Sequence, residues 1–198
     1  MLSGISHDLR TPLTRLKLQL EMLSQKDISK NMSKDIDEME NMLNDYLQFA
    51  KTQVKERTEK MILGDIFLSI KNKINNSMLK IKIESEISLY GRKNALERCF
   101  VNIINNGLTY GDKVEVAVQK SSNRAVILID DNGPGIPTEH FRNVFKPFFR
   151  LDQSRSLNKS GVGLGLAIVE DIINSHGGNI QLSTSTMGGL QVKVSLPF

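Results

Sequence analysis

Ala125-Val126-Ile127-Leu128-Ile129-Asp130-Asp131-Asn132-Gly133-Pro134-Gly135-Ile136 runs from a strand-like stretch rich in β-branched residues into an acidic turn bearing two glycines. Further on, Gly161-Val162-Gly163-Leu164-Gly165-Leu166 leads into a run of helical texture that ends near Ser175. Glycines let a backbone approach a ligand closely, and N–H groups at a helix start favour phosphate. The second run is no Walker loop, because no Gly-Lys-Ser/Thr occurs, and its glycine spacing departs from the dinucleotide fingerprint. Asp131, set between a strand and a Gly-x-Gly turn, can accept a hydrogen bond from an exocyclic amine such as that of adenine. Each run taken alone is equally consistent with a turn and a helix entry.

Around these segments strands and helices come in blocks. Residues 80–90, 114–119, 125–130, 179–185 and 190–196 read as strands, and 66–77 and 94–108 as helices. That pattern predicts an α+β domain whose sheet is covered by helices on one face. Before it, residues 55–60 (KERTEK) are polar and predict a linker or hinge. Residues 1–57 have a different texture, with no glycine after Gly4 and one proline. Leu2, Ile5, Leu9, Leu13, Leu16, Leu20 and Leu23 form one apolar stripe at helical spacing, and Met32, Ile36, Met39, Leu43, Tyr46 or Leu47, Ala50 and Val54 form a second. Ser24-Gln25-Lys26-Asp27 is the turn expected between them. A lone antiparallel hairpin leaves one side of each stripe wet, so the pattern asks for a partner pair. A second copy across a two-fold axis supplies it as a four-helix bundle, and packing on the chain's own second domain competes. The expected division is therefore a hairpin at 1–57 and a second domain at 58–198.

Composition narrows the classes. With 39% hydrophobic and 24% charged residues in 198, the chain can bury a core, and disorder is excluded. No run of about 18 apolar residues occurs, which excludes a helical membrane span in this stretch. Cys99 stands alone and cannot close an internal disulfide, so a reduced, cytosolic setting is expected. The net charge of +4 comes without a Lys/Arg cluster interleaved with aromatics, so no nucleic-acid partner is expected. The N-terminus lacks a signal-peptide stretch, and Met1 begins almost inside a patterned helix, from which we expect a fragment of a longer chain.

Chemistry concentrates at a few positions. His7 can be nucleophilic in its neutral form near physiological pH, Asp8 beside it can orient the ring or take its proton, and Thr11 lies one helical turn on. Pro12 removes the N–H that would bond the Asp8 carbonyl and loosens the helix there. Alone, a helical histidine is more often merely solvated or packed. Asn102 and Asn106, four apart on one helix face ahead of Tyr110, offer amide oxygens of the kind Mg²⁺ accepts; the plain alternative is a polar face. His140 reads as solvent-facing, and His176 as a helix terminus where a cation is favoured. Phe145, Phe148 and Phe149 read as core and lid anchors rather than a stacking platform.

Taken in order, His7-Asp8-x-x-Thr11-Pro12, Asn102-x-x-x-Asn106, Asp131-x-Gly133-x-Gly135, Phe145-Lys146-Pro147-Phe148 and Gly161-x-Gly163-x-Gly165 resemble the transmitter core of the two-component sensor histidine kinases, nearest to the osmosensing members. The resemblance covers essentially the whole chain. It implies a dimerisation and phosphoacceptor hairpin followed by an ATP-binding α/β sandwich of the histidine kinase, gyrase and Hsp90 type. His7 would attack the γ-phosphate of ATP through Nε2, with Asp8 as orienting base. Asn102 and Asn106 would hold Mg²⁺ and the triphosphate, and Asp131 would read adenine beside Gly133 and Gly135. Tyr110, Phe145, Arg150 and Leu166 would be further nucleotide-binding positions. Gly161, Gly163 and Gly165 would close a lid, about residues 150–160, over the phosphates.

The resemblance also implies that the phosphoryl group passes to an aspartate of a response regulator receiver domain, contacted by hairpin positions such as Arg15, Leu18 and Gln19. Thr11 would place the water that dephosphorylates that regulator, making the protein a bifunctional homodimer. The chain would be the cytoplasmic portion of a bacterial inner-membrane protein, reaching the membrane only through upstream segments. Two departures stand out: Thr109 where the family carries a cation before the tyrosine, which Arg150, Arg155 or Lys159 would compensate, and Gly107 where alanine is common. Two rivals are a catalytically silent scaffold and another ATPase of the same superfamily; the second leaves the His7 hairpin unexplained.

Overall fold

The computed structural model describes residues 13–16, 18–20, 32–33, 36–37, 39–40, 56–151 and 163–198. The described positions below 41 are all helical, and Leu13, Leu20 and Ile36 form a small buried cluster of their own. Leu16, Met32 and Met39, on the same predicted stripes, stay about half exposed within one chain. The predicted turn at 24–27 lies outside the described residues.

From residue 56 onward the chain builds a two-layer domain. Its elements are β1 (Glu59–Ile62), α1 (Leu63–Ile74), β2 (Leu79–Ile83), β3 (Ser88–Gly91), α2 (Lys93–Tyr110), β4 (Val114–Ser121), β5 (Arg124–Asp131), α3 (Gly165–Ser175), β6 (Asn179–Thr184) and β7 (Leu190–Pro197). Five strands form one sheet in the order β2-β4-β5-β7-β6, parallel only between β2 and β4. Alternation sets its faces: Val114, Val116, Val118, Ile127, Ile129, Val192, Val194 and Leu196 point into the core, while Asp130, Gln191 and Lys193 lie on the other face.

The helices cover the apolar face. Leu63, Ile66, Phe67 and Ile70 of α1 recur at spacings of three and four, as do Leu96, Cys99, Phe100, Ile103 and Ile104 of α2. Phe67 and Phe100 meet at 4.7 Å between ring centroids, tilted by 40°. Each such side chain, fully buried, contributes about 1.5–3 kcal/mol, so this seam carries much of the domain's stability. Cys99 is fully buried in it, and burial pushes its thiol well above the ordinary range, leaving a packed hydrophobe.

Two sequence expectations are corrected. Residues 59 and 60, expected in a linker, belong to β1, which pairs antiparallel with β3. The single strand expected over 80–90 is two strands in different sheets, broken at Glu84–Ile87, where the chain leaves β2 for the β1–β3 ribbon. Period-two alternation continues across the break, so it hides the change of sheet. The helix expected over 66–77 lies three residues earlier at both ends, stopped by the left-handed C-cap at Asn75, and the one expected over 94–108 spans Lys93–Tyr110.

Glu56, also expected in the linker, fixes α2. The first turn of that helix has no acidic residue, and Arg92 at its N-cap gives no side-chain bond. Glu56 supplies both: its Oε1 accepts from the Asn94 N–H at 2.8 Å and its Oε2 from the Ala95 N–H at 3.2 Å. Glu56→Ala should lower stability by about 1 kcal/mol, the usual cost of a lost cap. A thermal melt unchanged by the substitution would show that the bond contributes nothing.

Candidate functional site

Asp131 ends β5 with its carboxylate half-buried. Oδ1 accepts two backbone N–H groups, from Gly133 at 2.8 Å and from Leu190 at 3.1 Å. Oδ2 accepts no hydrogen bond among the described residues, which leaves one carboxylate oxygen for a donor from outside. Burial raises the Asp131 pKa above the usual carboxylate value, the Leu190 and Gly133 bonds oppose that, and the neighbouring Asp130 charge adds to it.

Gly107, Gly133 and Gly189 bring backbone close to Asp131. A Cβ on Gly133 would stand 3.1 Å from Asp131 Oδ1 and equally close to the Tyr110 carbonyl. Gly135 takes φ of +71° and faces the Gly189 carbonyl. Gly107, the apparent departure in α2, explains itself: a Cβ there would lie 2.7 Å from Val114 Cγ2 and 3.3 Å from Asp131 Cβ. Its lost helix propensity is the condition for α2 to approach the strand ends. Asn132, which the sequence reading passed over, ties the two loops together, its Oδ1 accepting from the Asp112 and Lys113 N–H groups at 2.9 and 2.8 Å.

One residue before Gly107, Asn106 projects toward the start of α3, where a Gly165 Cβ would be 3.7 Å from its Nδ2. Asn102 lies half-buried one turn earlier on α2. Neither amide makes a hydrogen bond among the described residues, although buried or half-buried amides normally find partners. Leu166 is half-buried in the first turn of α3. Thr109 turns its hydroxyl back onto its own helix, donating to the Asn105 carbonyl at 2.7 Å. It therefore does not stand in for the expected cation.

Between β5 and α3, Phe145 closes a short 3-10 turn (Asn143–Phe145) that packs on α3. Gly163, at φ of +78°, accepts from the Phe148 N–H at 3.0 Å, and a Cβ on it would meet the Phe149 carbonyl at 2.7 Å. Phe148 is itself at φ of +64° and 61% exposed, so it is no core anchor. Arg150, two residues on, is half-buried. His7, Asp8, Thr11, Gly161, Arg155, Lys159 and the expected lid from 152 onward lie outside the described residues.

Two histidine expectations change. His140 is not simply solvent-facing: its Nδ1 is buried, and its ring lies 5.8 Å from that of Phe149. His176 does stand at the end of α3, followed by Gly177 at φ of +67°, but its ring is not a cation. Its Nδ1 lies 2.7 Å from the Ile172 carbonyl, and Nε2 accepts from the Arg92 N–H at 3.0 Å, which requires the neutral ring. Burial lowers its pKa further, outweighing the Ile172 bond.

With this geometry in hand, similarity to known proteins is specific. Residues 91–198 match the Histidine kinase-, DNA gyrase B-, and HSP90-like ATPase family, and residues 1–54 match the His Kinase A (phospho-acceptor) domain. The whole chain is 34% identical to the sensor histidine kinase GtrS of Pseudomonas aeruginosa and 34% identical to the sensor histidine kinase CpxA of Escherichia coli, covering 41% and 46% of those proteins. The chain thus spans less than half the length of these relatives. The NMR structure of the histidine kinase domain of the E. coli osmosensor EnvZ superposes with a TM-score of 0.56 at 29% identity, covering 73% of this chain and 92% of that one. The chain belongs to the sensor histidine kinases and comprises their transmitter core, a phosphoacceptor segment followed by an ATPase-type domain.

Proposed function

We propose that this chain phosphorylates His7 from ATP, passes the phosphoryl group to an aspartate of a response regulator, and also dephosphorylates that regulator. The observation that carries the reading is the Asp131 carboxylate: saturated at Oδ1, open at Oδ2, and set in a cradle where glycine backbone leaves no room for side chains. A flat purine with an exocyclic amine fits such a cradle. Asn106 faces the N–H end of α3, and its amide has no partner among the described residues, a donor set suited to a cation carrying phosphates.

In this reading Asn102 and Asn106 hold Mg²⁺, which when bound neutralises charge on the triphosphate. Tyr110, Phe145, Arg150, Leu166 and the glycines at 133, 135, 161, 163 and 165 complete the nucleotide site. With Thr109 bonded to its own helix, the cationic role falls to Arg150, Arg155 or Lys159. Phosphoryl transfer asks the protein mainly to position groups and neutralise charge. Neutral His7 attacks through Nε2, and Asp8 orients the ring. The hairpin, bounded at about residue 57, dimerises as a four-helix bundle, which would cover Leu16, Met32 and Met39. The longer protein is anchored in a bacterial inner membrane through segments upstream, with this core on the cytoplasmic side.

Incubation with γ-labelled ATP and Mg²⁺ tests the reading. Acid-labile, base-stable label on the chain is expected; free phosphate without label would favour a plain ATPase, and neither product would favour a silent scaffold. Thr11→Ala should keep the label and lose at least about tenfold of the regulator-phosphatase activity, as expected when one water-positioning group is removed. Loss of both activities together would overturn that division of labour.

A further inference from the structure

We infer that Asp130, Ser185 and Gln191 form a clamp that positions Asp131 and thereby sets the preference for a 6-aminopurine; the inference rests on the adenine-reading role proposed for Asp131. Asp130 and Asp131 are adjacent on β5 and so point to opposite faces of the sheet. Asp131 faces the helices. Asp130 faces away, opposite Gln191 in the β5–β7 register. Its Oδ1 accepts from the Ser185 hydroxyl at 2.8 Å and from Gln191 Nε2 at 3.0 Å, and its Oδ2 from the same Nε2 at 3.3 Å.

Ser185 begins the turn from β6 to β7 and is only 5% exposed, the sole buried polar residue among those described. Its hydroxyl also accepts from the Met187 N–H at 3.0 Å. The turn is closed by the Ser185 N–H to the Gly189 carbonyl at 2.9 Å and the Gly188 N–H to the Ser185 carbonyl at 3.0 Å. A rigid turn hung on Asp130 from the outer face therefore delivers Gly189 and the Leu190 N–H to the inner face, against Asp131 Oδ1. Because Oδ1 is spent on backbone, Asp131 can meet a ligand only with Oδ2, which is acceptor-only while ionised. An amine at that point is matched, whereas a carbonyl or a bare C–H is not. None of the three clamp residues touches the ligand. They act through Asp131.

Calorimetric titration of the chain with ATP and with purine riboside triphosphate, which lacks only the 6-amino group, separates this from general structural support. The unaltered chain is expected to prefer ATP. Ser185→Ala and Gln191→Leu should each cut ATP affinity about three- to tenfold, the value of one displaced hydrogen bond, and leave analogue affinity within about twofold. If both nucleotides weaken together, or neither does, the clamp is refuted. If the unaltered chain shows no preference for ATP, the adenine role of Asp131 fails first and the clamp with it. Circular dichroism checks folding; should Ser185→Ala fail to fold, Gln191→Leu, at a half-exposed position, decides alone.

Discussion

Gly189→Ala weakens ATP binding by about ten- to a hundredfold, the range expected when a hydrogen bond to a charged group is lost. The reason is steric. A Cβ at residue 189 would lie 2.1 Å from Asp131 Oδ1, 2.6 Å from the Asp131 carbonyl oxygen and 2.6 Å from the Gly133 nitrogen. Two of these three atoms are backbone, so the turn cannot yield cheaply, and the carboxylate must swing away from both its N–H partners. Overpacking of this kind costs about 1–3 kcal/mol of stability as well. Gly188→Ala supplies the contrast: Gly188 has φ of +99° but nothing within 4 Å of a Cβ. It should lower stability through backbone strain and spare nucleotide affinity. Titration of both variants with ATP checks the pair, and undiminished affinity in a folded Gly189→Ala chain would remove Asp131 from the site.

The residues in that argument mark where sequence reading ends. Asp131, Gly133 and Gly135 were legible because strand, acid and turn glycines are contiguous, so local chemistry alone fixes their arrangement. Asn102 and Asn106 were legible because helical periodicity puts them on one face. Gly189, Ser185 and Gln191 were not: they meet the two aspartates only through the β5–β7 pairing, and nothing in Thr186-Met187-Gly188-Gly189 distinguishes it from an ordinary hairpin turn. Glu56 was missed for the same reason, since its partners on α2 are 38 and 39 residues away. β1 failed differently. With one buried residue in four it has too little alternation to show against a charged flank. Gly107 looked like a defect because propensity is local, while the contact that forbids a side chain comes from β4 and β5.

His7→Gln reduces acid-labile labelling from γ-labelled ATP to below about one per cent, as removal of a nucleophile without substitute should. The structure sharpens this expectation, because the other histidines are less suited to the role. The chain has three histidines. His176 has both ring nitrogens engaged, Nδ1 with the Ile172 carbonyl and Nε2 with the Arg92 N–H, and burial holds it neutral in that pose. Freeing Nε2 for attack would strip the Arg92 N–H at the entry to α2, whose first turn already depends on Glu56. His140 has its Nδ1 buried and its ring 5.8 Å from that of Phe149, and it lies outside the residues that match the phospho-acceptor domain. His140→Gln should therefore leave labelling within about twofold, as a substitution away from the reacting atoms does. Glutamine at position 7 keeps a polar side chain of similar reach but offers no basic nitrogen, and the nucleotide site on the other domain is untouched, so ATP affinity should not change. Labelling that survives His7→Gln with ATP affinity intact would place the acceptor elsewhere and end the proposed reaction.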